Sequence, residues 1–185
     1  MINKFFILLF IFINVSLCLK ADEKQLIIDR LISVNNITFD FVQITNNKKE
    51  VGTCILVFDN KLSCDYEDSM QKRVLINNKT LVVQQKRYDK IYYYPVSNSP
   101  FIKIFNKNNL INLIKNSDYQ LNDNITLTYI GEDGAKITIF FKKDSYDLSG
   151  WRVVDNLQNI INFSIKIKFV NSEINPKIYL IPPIN

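Results

Sequence analysis

Histidine is absent from this 185-residue chain, and glycine and cysteine are scarce, at four and three residues. Without imidazole there is no Ser/His/Asp or Cys/His nucleophile pair, no His-bearing zinc site and no His acid or base working near neutral pH. The few glycines form no phosphate-cradling loop, since Gly131 and Gly134 belong to one turn-like stretch. No βαβ repeat is visible, which argues against a doubly wound nucleotide-binding fold. Acidic pairs such as Asp144 with Asp147, or Glu132 with Asp133, sit in apparent turns, where Asp caps local backbone groups. The converging carboxylates of a glycosidase are therefore not read into them. The expectation is a binding protein and not an enzyme, with no cofactor and no metal.

Positive charge is present but diffuse. The net charge is +5, and the basic residues lie scattered among 23 Asn and 28 Ile. Setting aside Lys4 and Lys20 leaves 21 basic against 18 acidic residues, or +3. That is a solvated surface, not a stripe tracking phosphates, so no nucleic-acid partner is expected.

Lys4 precedes an unbroken apolar run from Phe5 to Ile13, and Ala21 offers a small residue for cleavage. The pattern is that of a secretory signal peptide over residues 1–21, the run being too short for the ~20 apolar residues of a spanning helix. Bulky Leu17 before Cys18 argues against a lipidation site. Residues 22–185 then form a single exported domain, long enough to bury roughly 70% of its unfolded surface. Cys54 and Cys64 remain in an oxidising compartment, flanking a hairpin turn near Asp59-Asn60. If that turn has odd length, both cysteines share a face and can be bridged; otherwise they are two small apolar residues of a core.

Helical spacing of Leu26, Ile27, Leu31, Ile32 and Val34 predicts an amphipathic helix over 22–36. Strand patterns follow at 37–45, 52–58, 61–66, 73–76, 80–85 and 90–94, separated by Asn, Asp and Lys turn clusters. Phe105, Leu110, Ile111, Leu113 and Ile114 predict a short second helix, capped by Asn106 or Asn108. Strands resume at 125–130, 135–142, 151–155 and 160–170, with a hairpin turn at Gly131-Glu132-Asp133-Gly134. Many successive strands with two helical segments predict an α+β, mainly β fold: one long, strongly curved antiparallel sheet with helices laid across it.

Thirteen Phe and nine Tyr include the consecutive Tyr92, Tyr93 and Tyr94, of which Tyr92 and Tyr94 share a face. Ordinary packing explains most such aromatics; the functional alternative makes one face the wall of an apolar cavity.

The stretch Tyr94-Pro95-Val96-Ser97-Asn98-Ser99-Pro100-Phe101, leading into the second helix, resembles the Tyr-Pro-Leu-Ser-x-Thr-Pro-Leu stretch of the outer-membrane lipoprotein carrier family, LolA. In the same order, Phe41-Val42-Gln43 resembles the family's early Phe-x-Gln, and Gly52 opens the next strand. Tyr66 matches an aromatic ending the hairpin, Trp151, Val153 and Asp155 resemble Trp-x-Val-x-Asp, and the segment from Phe169 to Pro182 resembles the closing one. The family's Arg-Pro at the hairpin turn and the Arg after it are replaced by Phe58-Asp59 and Ser63, and its glycine after Trp-x-Val-x-Asp by Leu157-Gln158. The lid-latching role of that Arg therefore does not carry over.

The resemblance implies an unclosed antiparallel barrel whose helical lid covers a hydrophobic cavity. It also implies a monomeric periplasmic carrier that takes acylated lipoproteins from an inner-membrane lipoprotein-releasing ABC transporter to an outer-membrane lipoprotein acceptor. Alternation assigns the cavity wall to Leu56, Phe58, Tyr92, Tyr94, Phe163, Ile165, Ile167 and Phe169, with Ile111 and Ile114 on the lid. The alternatives are a binder of free lipid or another hydrophobic ligand on the same fold, and a non-catalytic protein-interaction module with a filled core.

Overall fold

A computed structural model of the chain describes residues 22–96, 102–131, 134–154 and 158–183. The expected signal peptide with Cys18, Ser97 to Phe101 of the family-like stretch, Glu132-Asp133, Asp155 and Leu157 lie outside the described residues.

Eleven strands form a single antiparallel sheet. The first meander is β1 (Asn36–Thr45), β2 (Lys48–Val57), β3 (Lys61–Tyr66), β4 (Lys72–Asn77), β5 (Thr80–Gln85) and β6 (Lys90–Pro95). The second is β7 (Asp118–Leu121), β8 (Ile125–Ile130), β9 (Lys136–Phe141), β10 (Leu148–Val154) and β11 (Ile160–Val170). They join where β1 pairs with β11, giving the order β6-β5-β4-β3-β2-β1-β11-β10-β9-β8-β7. The outer strands β6 and β7 do not pair with each other, so the curled sheet is an unclosed barrel, as the sequence implied. Turn chemistry sets the registers. Asn46 and Asn47 both take positive φ between β1 and β2, and Asn60 does so in the three-residue turn before β3.

Helices α1 (Glu23–Ser33), α2 (Ile102–Phe105) and α3 (Lys107–Lys115) lie against the concave face. The Asp22 carboxylate caps α1 by accepting from the Lys24 N–H, and the Asn106 side chain caps α3 by accepting from the Asn109 N–H. Ile27, Ile28 and Leu31 of α1 and Leu110, Leu113 and Ile114 of α3 are buried. Lys24 Nζ, at the start of α1, donates to the Lys115 and Ser117 carbonyls at 3.2 and 2.6 Å, while Lys107 Nζ, at the start of α3, donates to the Ile32 carbonyl at 3.3 Å. The helices therefore run antiparallel, each supplying an ammonium to the other's carbonyl end, where the helix dipole favours positive charge.

The chain end after β11 packs on the convex face. Tyr179 is buried, its carbonyl accepts from Asn77 Nδ2, and the Tyr93 hydroxyl donates to the carbonyls of Pro182 and Pro183. Tyr93 thus faces away from Tyr92 and Tyr94, as strand alternation requires.

A row of rings crosses the concave face and ties the meanders together. Trp151 on β10 stacks on Phe163 of β11 at 4.4 Å, Phe163 on Phe41 of β1 at 4.7 Å, and Phe41 meets Tyr66 of β3 edge-on at 4.8 Å. Phe41 and Tyr66 are separated by β2, where the residue paired with both is Gly52. A Cβ there would lie 2.2 Å from the Asp65 carbonyl oxygen and 2.9 Å from the Phe41 ring. Glycine is thus the slot through which the two rings touch. Gly52→Ala is expected to destabilise the fold by about 1–3 kcal/mol, a typical cost of overpacking. Urea unfolding reads it, and an unchanged midpoint would show that the strands can part without cost.

Candidate functional site

Below the row of rings, the concave face of β3, β4 and β5 is not filled. A hollow of about 260 Å³ lies there, walled by Leu62, Val74, Ile76, Leu81 and Val83, with Phe105 and Val96 reaching in from the helical side. Phe163 and Trp151 close one flank, and Phe105 packs edge-on against Trp151 at 5.8 Å. The lining is predominantly apolar, which favours hydrocarbon over water.

Cys54 on β2 and Cys64 on β3 pair directly across the strands and are joined as a disulfide that forms part of the hollow's wall. The three-residue turn from Phe58 to Asn60 puts both sulfurs on the concave side. The same turn holds the roof. The Asn60 N–H donates to the Phe105 carbonyl at 3.3 Å, and Asp59 bridges to Asn106 at the junction of α2 and α3. Where the family resemblance places an arginine latch, this chain has a backbone contact.

The hollow has two unlike ends. Leu62, Ile76, Val96 and Phe105 are buried at one end, whereas Tyr66, Val83 and Ile161 at the other are only partly so. The more open end is polar. The Tyr66 hydroxyl donates to Gln43 Oε1 at 2.7 Å, and Lys72 Nζ sits 3.8 Å from the centre of the Tyr66 ring. Burial, with Glu50 and Asp68 nearby, pushes the Tyr66 phenol well above its ordinary range, so it remains a neutral donor. Glu50 accepts from Lys72 at 2.6 Å and from Lys48 at 3.0 Å, with the Glu50 and Lys72 side chains only 11% and 19% exposed.

The predicted wall residues divide into groups. Phe163 lines the hollow. Leu56 and Ile114 are fully buried, Ile165 is buried, and Ile111 packs partly buried against the same core, so these four belong to the filled part of the concave face. Phe58 and Ile167 face a narrow crevice of about 10 Å³ beside Leu31 and Val34 of α1. Tyr92 and Tyr94 lie on the expected face, opposite Val83 and Leu81, but at the sheet edge, 40% and 48% exposed.

Phe169 is a correction. The β1–β11 register slips between Thr38 and Phe39, where Phe39 pairs with Ile167 but Thr38 with Phe169. The extra residue, Lys168, reverses the alternation, so Phe169 points to the convex side, 60% exposed, and Val170 turns inward instead. The lining residues that the sequence reading left out, above all Val74, Ile76, Leu81 and Val83, carried a visible signal in two short alternating runs.

No protein-family model and no curated protein matches the chain. Solved structures do. The Mycobacterium tuberculosis lipoprotein LppX aligns over 83% of this chain and 95% of its own at 13% identity, with a TM-score of 0.51. An uncharacterized conserved protein from Thermus thermophilus aligns over 87% and 95% at 7% identity, with a TM-score of 0.52. A LolA superfamily protein from Nitrosomonas europaea aligns over 86% and 98% at 9% identity, with a TM-score of 0.43. The first two matches establish a shared fold. The architecture expected from the sequence, an open barrel with helices on its concave face, is the one the chain adopts.

Glu50 supplies a pH prediction. Burial would raise its carboxyl, but hydrogen bonds from Lys72 and Lys48 outweigh burial and hold it below the ordinary glutamate value. With the folded value depressed, the ionised group adds stability above the ordinary carboxylate range, and this is lost as pH falls through the folded value. The drop in urea midpoint between neutral pH and about pH 3 should accordingly be smaller in Glu50→Gln than in the wild type. Equal drops would mean that the bridge does not contribute.

Proposed function

We propose that the protein is an exported, non-catalytic carrier that holds the acyl part of a lipid-anchored or lipidic cargo in the hollow under its helices. The observation carrying this reading is the apolar, partly open space between Phe105 and the walls of β3 to β5. Each methylene brought into water costs ~0.8 kcal/mol, so a chain of about fifteen costs on the order of 12 kcal/mol. A shuttle must replace the bilayer with apolar wall while making and breaking no bond.

The specific cargo proposed is the acyl-modified end of lipoproteins, taken from an inner-membrane releasing transporter, carried through the periplasm and yielded to an outer-membrane acceptor, with the carrier acting as a monomer. The family-like stretches support that assignment, and the Cys54–Cys64 disulfide supports an oxidising compartment.

Binding of the uncharged fluorophore N-phenyl-1-naphthylamine tests the hollow directly. Saturable fluorescence is expected in the wild type and a loss of at least about tenfold in affinity in Val83→Trp, whose indole would fill the partly open end. Equal binding in both would place the apolar site elsewhere. For the cargo, an acylated lipoprotein should be retained and its unacylated form should not; retention of both would reject acyl recognition.

A further inference from the structure

The polar end of the hollow carries a chemical signature of its own. Register places Trp151, Phe163, Gln43 and Glu50 in one row across β10, β11, β1 and β2. On the other side of the mouth, Lys72, Gln85 and Lys90 form a row across β4, β5 and β6. Lys72 shares the phase of Val74 and Ile76, while Gln85 and Lys90 share that of Val83 and Tyr92, so both sequences turn toward the concave side. Lys48, two residues before Glu50, does the same. Two ammonium groups, those of Lys72 and Lys48, thus meet one carboxylate, Glu50, while Lys90 lies two strands beyond Lys72. Asp68, near the same end, is engaged locally, since Oδ1 accepts from the Lys72 backbone N–H at 2.9 Å.

A second observation points to an acceptor. Trp151 lines the hollow, yet among the described residues its indole N–H is buried without a hydrogen-bond partner. Leaving such a donor unmet costs about 1–3 kcal/mol. An uncharged hydrocarbon would leave the indole unsatisfied and offer nothing to the polar groups at the open end. At about 260 Å³ the space also falls below the ~300–1,000 Å³ of drug-sized ligand clefts, which limits it to one chain.

We infer that the hollow takes a single acyl chain bearing an anionic head, tail toward Phe105 and Val96, head at the end formed by Gln43, Tyr66 and Lys72. This rests on the coarser carrier reading above, a lipidic cargo in the hollow, and within it favours free chains ending in a carboxylate or phosphate over the ester- and amide-linked chains of a lipoprotein. The geometry leaves Lys72 able to exchange part of its contact with Glu50 for the head group, while Lys48 keeps its own contact with that carboxylate.

Displacement of N-phenyl-1-naphthylamine by dodecanoate, dodecyl phosphate and dodecanol separates the possibilities. Both or one of the anions should displace the probe about tenfold more effectively than the alcohol, the factor of one charge-assisted hydrogen bond. The preferred anion then tells carboxylate from phosphate. Lys72→Gln should shrink the preference to a few-fold and Lys72→Arg should keep it, while dodecanol binding, unchanged in both, shows that the hollow is intact. Equal displacement by alcohol and anions in the wild type would overturn the head-group inference and leave the hydrophobic carrier standing. Failure of the probe itself to bind would overturn both.

Discussion

The pairing of β1 with β11 is the contact on which the rest of the molecule depends, because it alone makes one curved sheet of two meanders. Neither meander could bury its apolar face by itself. The ring-on-ring contact between Phe41 and Phe163 spans this junction at 4.7 Å, and the row continues to Trp151 on one side and Tyr66 on the other. Stacked and edge-on aromatic pairs contribute about 0.5–1.5 kcal/mol each beyond simple burial. They also fix distance. A sheet held open at its centre by flat rings curls around them, and the helices can fill only part of what it encloses. On the β7–β10 side Ile125, Leu127, Ile137, Ile139 and Phe141 are fully packed, whereas β3 to β5 keep a space.

Strand alternation makes most of this architecture readable in the sequence. The clean run Phe163, Ile165, Ile167 gives the correct face of β11, and the paired asparagines at positions 46 and 47 mark a turn that needs positive φ at both residues. The cap of α3 is legible as Asn106 or Asn108, and Asn106 fills it, its side-chain oxygen accepting from the Asn109 N–H. β7 was not legible. Its four residues alternate Tyr119 and Leu121 with Asp118 and Gln120, too short a run to mark a strand, and all four are exposed, so it owes its strand conformation to the ladder offered by β8. The inversion at Phe169 was equally hidden, since a bulge leaves the local sequence pattern intact while changing which face it meets.

The hollow posed a different difficulty. Alternation assigns a residue to a face, and Leu56, Tyr92 and Phe163 were assigned to the right one. It does not say how much of that face the helices will cover. Leu56 fell under the packed part, Tyr92 at the open rim and Phe163 between them, a difference set by the tertiary position of α1 and α3. That position depends in turn on contacts between residues far apart in the chain, such as Lys24 with Ser117 and Asn60 with Phe105, which no local window contains.

Size and polarity together bear on how such a protein could release what it holds. If about ten methylenes enter the hollow at ~0.8 kcal/mol each, the gain is on the order of 8 kcal/mol, a dissociation constant near the micromolar range before ordering costs are subtracted. A fully enclosing barrel would hold its ligand more tightly and would have to unfold strand pairs to let it go. Here the sheet is already open between β6 and β7, and the roof meets the β2–β3 turn through the Asn60–Phe105 backbone hydrogen bond and the Asp59–Asn106 bridge. A single backbone hydrogen bond contributes about 1 kcal/mol net, so most of what seats the roof is the burial of Phe105, Leu110, Leu113 and Ile114. The disulfide, by contrast, keeps β2 and β3 together when the roof moves. The wall of the hollow is therefore covalently tied at β2 and β3 while the side that covers it is held by packing and hydrogen bonds alone, an asymmetry that suits the proposed seat.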